Sequence, residues 1–173
     1  SLKNALRSVE FAARKEPNNA QIQAMLADIY AFDYEAAFGS VENGLEKAVQ
    51  LLTRAIGMDP ECQLAHLTMA FTHFLRGDKE RLLASGIKAY DLNPSSGNTL
   101  ASLAQWYGIM GNWDATLELL EKLVEQSPSF PGWCNAILSL YHYVHGNPET
   151  ALKEAEKNMA ADTFWSPMFR LVS

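Results

Sequence analysis

Proline spacing constrains this chain more than any other feature. Asp59-Pro60, Asn93-Pro94 and Ser127-Pro128 are separated by 34 and 34 residues, and Glu16-Pro17 precedes the first of them by 43. Proline has no N–H to donate and its ring clashes with the preceding helical turn, so each such dipeptide ends one helix and releases the chain to begin another. Glycines form a second lattice midway between the prolines: Gly77-Asp78 and Gly111-Asn112 lie 34 apart, and Gly146-Asn147 follows 35 later. Glycine tolerates the left-handed geometry that a tight turn inside a helical hairpin needs. The repeating unit is helix, tight turn, helix, proline, and a period of this length implies a stacked array.

Length and composition remove several alternatives. A chain of 173 residues with 48% apolar side chains can bury a continuous core and is not a disordered tract. Fourteen Lys and Arg against twenty Asp and Glu give a net charge of −6, with the cations scattered. That excludes the basic footprint that direct nucleic-acid contact requires. The longest apolar tract, Leu64 to Leu75, is twelve residues and is interrupted by His66, Thr68, Thr72 and His73, so no membrane span is expected. Cys62 and Cys134, 72 residues apart, form neither a disulfide framework nor a CxxC knuckle, which points to a reducing, cytoplasmic setting. The chain starts at Ser1 on an amphipathic pattern, and it reads as a fragment of something longer.

With those residues in place the sequence resembles the tetratricopeptide repeat (TPR) family. Residues 97–130 carry Leu100, Leu103, Ala104, Tyr107, Gly111, Trp113 and Pro128 at matching positions, with Thr116 and Leu123 where alanines are usual. Residues 63–96 carry Met69, Ala70, Gly77, Ala89 and Pro94. The resemblance implies an all-α, right-handed α-α superhelix, a TPR-like solenoid of about four hairpins. Its expected divisions are 1–17, the second helix of an incomplete repeat; 18–60, a repeat with an insertion at about 35–44; then 61–94, 95–128 and 129–162; and 163–173, the start of a capping helix.

A narrower resemblance concerns the lengthened repeat (Met25 to Tyr30, the insertion, then Leu45 to Pro60) and the closing stretch with Pro131-Gly132-Trp133, Tyr141-His142-Tyr143 and Phe164-Trp165-Ser166-Pro167. These are similar to the repeat regions of bacterial multidomain adenylate cyclases and winged-helix transcriptional regulators. The resemblance implies a regulatory role in signal transduction or transcription, downstream of a catalytic or DNA-binding domain. Neither such domain is present in these residues.

The family register implies a concave face built from the first helix of each hairpin. It comprises Gln21, Ala24, Asp28 and Ala31; Leu64, Leu67, Phe71 and Phe74; Asn98, Ala101, Gln105 and Gly108; and Gly132, Asn135, Ser139 and His142. The expected partner-binding residues are Asp28, Phe71, Asn98, Gln105, Asn135, Ser139 and His142, whose amides, hydroxyl and carboxylate can bond an extended peptide. Phe71 and Phe74 have a second reading, as core residues against the inserted loop or a neighbouring helix. His66 and His73 are seven apart and His142 and His145 three apart, yet no HExxH accompanies them and structural roles are the expectation. Neither a nucleophile elbow nor a phosphate-binding loop occurs, so no catalytic residue, metal or cofactor is expected.

Two further features bear on association. Asp114, Glu118, Glu121 and Glu125 recur at spacings of four, three and four, a negative stripe that is either a solvated face or a contact for a basic patch. The apolar ending from Phe164 to Ser173 either folds back over the last hairpin or, with exposed terminal helices, supports a homodimer. The sequence thus reads as a non-catalytic interaction and regulatory module with a protein or peptide partner. The alternative is a small-molecule effector sensor with a pocket near the insertion or Trp133.

Overall fold

A computed structural model describes residues 2–126 and 134–159, and among them every regular element is an α-helix. The helices are α1 (Leu2–Lys15), α2 (Ala20–Glu35), α3 (Gly44–Met58), α4 (Gln63–Leu75), α5 (Lys79–Leu92), α6 (Gly97–Ile109), α7 (Trp113–Gln126), α8 (Cys134–Val144) and α9 (Pro148–Met159). The chain divides between Pro94 and Ser95 into two compact units, Ser1–Pro94 and Ser95–Ser173. In the first, α2 pairs with α3 and α4 with α5, α1 packs on α2, and α4 packs on both α2 and α3. In the second, α6 pairs with α7, α8 with α9, and α6 packs on α8. Each unit therefore stacks the first helix of one hairpin on the first helix of the next, the arrangement that makes a helical solenoid.

The glycine lattice has one local cause, repeated three times. Gly77, Gly111 and Gly146 adopt φ of 72°, 81° and 78°. At each, the glycine N–H and that of the next residue donate back to the last helical turn: Gly77 to Phe74 O and Asp78 to His73 O, Gly111 to Gly108 O and Asn112 to Tyr107 O, Gly146 to Tyr143 O and Asn147 to His142 O. This paired closure satisfies carbonyls that a helix end leaves orphaned. The following acid or amide then opens the next helix. Asp78 Oδ1 accepts from Arg81 N at 3.1 Å and Asn112 Oδ1 from Ala115 N at 3.3 Å. A two-residue Gly-Asx turn is thus both stop and start signal.

The first hairpin lacks that signal and closes differently. Between α2 and α3 the chain runs through residues 36–43, with positive φ at Ala37, Gly39 and Asn43. Its anchor is Asp33, 1% exposed, whose Oδ1 accepts from Ser40 N at 3.2 Å and Oδ2 from Val41 N at 3.0 Å. Phe38 N also donates to Asp33 O.

Small side chains set the packing. Ala24, Ala27 and Ala31 of α2, Ala48 and Ala55 of α3 and Ala65 of α4 are fully buried around Leu52, letting three helices approach closely. In the second unit Thr116 takes an alanine's place: its hydroxyl donates across the hairpin to Ala104 O at 3.2 Å as well as to Asn112 O. Gly108 is there because a Cβ would stand 3.1 Å from the Trp113 ring and 3.3 Å from Ile137 Cγ2. Trp106 is buried, whereas Tyr107 beside it is half-buried.

Candidate functional site

Helix α2 presents a row of side chains that its own hairpin does not use. Ala24 and Ala31, expected on the concave face, are wholly buried. The outward arc is instead Gln21, Met25, Asp28 and Phe32, at spacings of four, three and four, with the half-buried Glu35 three residues further on. Those spacings keep all five on one side of a helix. Met25 is 43% and Phe32 46% exposed. Phe38, 57% exposed on the loop, meets Phe32 edge to face with ring centres 6.3 Å apart, extending the apolar strip past the end of the helix.

Asp28 lies at the middle of this arc, and its Oδ1 accepts from the buried Thr68 hydroxyl of α4 at 3.3 Å. Although the residue is accessible, surrounding protein raises its carboxyl above the usual range, a rise that the Thr68 bond partly offsets. Glu35 is raised first by burial and then by the charge on Asp28. Neither acid belongs to an ion pair among the described residues. Phe71 sits on α4 three positions beyond Thr68, half-buried against the alanine-rich cluster, so its ring packs the core while keeping an edge at the surface. At one end of α2, Gln21 Oε1 accepts from the Cys62 thiol at 3.5 Å.

The remaining expected residues lie in the second unit on α6 and α8. Asn98 is exposed, and Gln105, Asn135 and His142 are half-buried. Ser139 is withdrawn: it is buried and its hydroxyl donates to Ala151 O of α9 at 2.8 Å, as Thr116 does across the preceding hairpin. It fastens α8 to α9. His142 stands edge-on to Tyr141, centroids 5.2 Å apart, and His145 lies over Tyr141 at 4.3 Å, with its Nδ1 donating to Tyr141 O. Trp113 closes this aromatic group against Tyr141 and His145 at 5.6 and 5.9 Å.

Among the described residues no chemistry-bearing constellation emerges elsewhere. His66 Nε2 is 2.9 Å from Pro60 O, a bond across the turn that opens α4. The Cys134 thiol is pushed up to about 12 by burial, which holds it in the unreactive protonated form. Among the described residues no three of His, Cys, Asp and Glu form a metal-sized group. The acids of α7 are exposed, and Glu118 pairs with Lys122 at 2.8 Å. A surface depression lies at the α1–α2 turn, lined by Glu16 to Gln21 with Met58 and Asp59, away from the insertion. Trp133, Gly132, Ser127-Pro128 and the ending from Phe164 lie outside the described residues. Among the described helices none is long and apolar enough to cross a membrane.

Three residues that the sequence reading passed over matter most here. Met25 and Phe32 are large apolar residues seven apart with an acid between them, a signal visible in the sequence once the helix is phased by its alanines. Asp33 could not be found this way, because its partners lie on the loop that it organises.

Neither a protein-family model nor a curated protein sequence matches the chain. Solved structures do. MamA superposes with a TM-score of 0.62 at 20% identity, covering 93% of this chain and 88% of that one. The MamA RS-1 ArsTM double mutant gives 0.61 at 17% identity over 94% and 85%. YrrB, described as a TPR protein with an unusual peptide-binding site, gives 0.59 at 15% identity over 93% and 78%. This chain shares their fold, that of a helical-hairpin solenoid.

Proposed function

We propose that this chain is a non-catalytic interaction module that docks a protein or peptide segment on the outward face of α2 and the loop that follows it. The observation that carries this reading is the set of exposed apolar side chains Met25, Phe32 and Phe38 flanking Asp28, with Phe32 and Phe38 in edge-to-face contact, on a helix whose alanines are buried in the core. Large apolar side chains clustered at a surface and bordered by polar groups mark contact sites. The peptide-binding site of YrrB, on the same fold, supports the reading. The half-buried amides Gln105 and Asn135 provide a second set of contacts in the other unit. The regulatory setting follows from the narrower sequence resemblance: a module within a larger bacterial signalling or transcription-regulating protein, acting in the cytoplasm.

The test is selection of binders from a random-peptide display library, with Met25→Ala/Phe32→Ala and Gln105→Ala/Asn135→Ala as comparison proteins. Recovered peptides are expected to lose affinity for the first variant by roughly tenfold or more, with helix content unchanged. Peptides that bind the first variant as tightly as the parent would refute the α2 face as the site.

A further inference from the structure

We infer that the occupant of the α2 face is a cationic amphipathic helix, carrying two Lys or Arg side chains seven residues apart that meet Asp28 and Glu35, with large apolar residues between them that meet Phe32 and a further apolar residue beyond them that reaches Met25. This deepens the reading above and rests on it. The argument begins with the charges that are missing. Neither α2 nor α4, the two helices that pack side by side here, contains a single Lys or Arg. Helix α2 contributes three acids. One of them, Asp33, is buried and bonded to the loop backbone, which leaves Asp28 and Glu35 at the surface and outside any ion pair among the described residues.

These two carboxylates stand where charge is unfavourable. Both are raised by surrounding protein, and Glu35 further by Asp28. An acid whose folded-state pKa is raised contributes stability only as pH falls through that raised value; at neutral pH its ionised form costs stability. The fold alone would be served at least as well by Asn and Gln. A cation arriving from a partner reverses the balance, because it relieves the repulsion between the acids and attracts both of them where protein, rather than water, sets the screening.

Geometry selects the partner's form. Asp28 and Glu35 are seven residues apart on one helix, about 10 Å at 1.5 Å per residue. A second helix lying along α2 presents its own residues i and i+7 at the same interval. Its i+3 and i+4 side chains then fall between the two cations, opposite Phe32, with further apolar positions reaching Met25 and Phe38.

The experiment uses the full chain and three synthetic peptides of about 18 residues, long enough to populate a helix. All share one Leu-rich face and carry Lys, Gln or Glu at the i and i+7 positions; affinity is read by anisotropy of a labelled peptide. The Lys peptide is expected to bind at least roughly tenfold tighter than its Gln counterpart, with the advantage shrinking as salt is raised. Asp28→Asn/Glu35→Gln should remove that advantage, and Glu121→Gln/Glu125→Gln on α7, which removes the same net charge elsewhere, should leave it. Equal affinity for the Lys and Gln peptides overturns the inference, as does an α7 variant that loses as much as the α2 variant. If the peptides bind equally and Phe32→Ala weakens them all, the docking face stands and only its cation preference is refuted. If none binds with any dependence on Phe32, both readings fall.

Discussion

Asp33→Ala probes the device that closes the first hairpin. The carboxylate is almost entirely enclosed and accepts two backbone N–H groups, from Ser40 at 3.2 Å and Val41 at 3.0 Å. A hydrogen bond to a charged group contributes about 1.5–3 kcal/mol. The two bonds share one carboxylate and do not add fully, and the exposed Ser40 amide can regain water when released, so the expected loss is about 2–4 kcal/mol. Asp33→Asn keeps one acceptor but turns an NH2 group toward the other amide, and should cost less than the alanine. The assay is urea unfolding followed by far-UV circular dichroism, with hydrogen exchange at the amides of Ser40 and Val41. Tryptophan fluorescence is the wrong probe, since all four tryptophans lie at or beyond position 106. A lower midpoint at unchanged slope, with both amides losing protection, is expected. An unchanged midpoint together with unchanged exchange at the two amides would show that Asp33 does not hold the loop.

Three other outcomes follow from the packing. Gly108→Ala pushes a methyl group against the Trp113 ring and Ile137 and should cost about 1–3 kcal/mol by overpacking; a melting temperature equal to the parent's would contradict the close approach. His73 is held below the usual histidine range, first by burial, with Arg81 and Arg76 lowering it further and Asp78 opposing; its Nδ1 is buried without a hydrogen-bond partner among the described residues. A histidine with a depressed folded-state pKa favours folding fully above its ordinary value of 6.5 and loses that contribution as pH falls below it, so His73→Gln should flatten the decline in stability between neutral pH and pH 5. An equally steep decline in the variant would assign it to other groups. With its thiol near 12 and its side chain buried, Cys134 should resist iodoacetamide at pH 8 in the folded protein and react once unfolded, and fast labelling under native conditions would refute its enclosure.

The spacing of prolines and glycines made the architecture legible, because each marks a backbone event that few other residues permit. Gly77, Gly111 and Gly146 all sit where φ is positive. Side-chain direction was less legible. A register borrowed from a family phases each helix to within a residue, and on a helix one residue is about 100° of rotation. That is enough to swap the buried Ala24 and Ala31 for the exposed Met25 and Phe32. Ser139 is withdrawn from the surface for a different reason. Small hydroxyl residues suit a groove and a close helix contact equally, and what distinguishes them is a carbonyl on the facing helix, here Ala151 O. Asp33 belongs to the class that sequence pattern cannot reach, a polar group whose burial depends on how a nonrepeating loop folds back over it.

In a repeat protein the regular features serve the scaffold, so a specific partner is best sought where the repeat is broken. Here the departures converge. The hairpin that lacks a Gly-Asx turn has the loop 36–43; Asp33 anchors that loop; and the loop carries Phe38 against Phe32, at the end of the row holding Asp28 and Glu35. If the anchor exists to place Phe38, Asp33→Ala should weaken binding as well as stability, and the two effects can be separated. Working well below the unfolding midpoint, affinity for a peptide recovered against the parent should fall to about the level of Phe38→Ala. Combining the two substitutions should then cost little beyond either alone, since both remove the same ring from the same place. Full additivity of the two losses would mean that Asp33 supports the fold without positioning the ring, and the convergence would be coincidental.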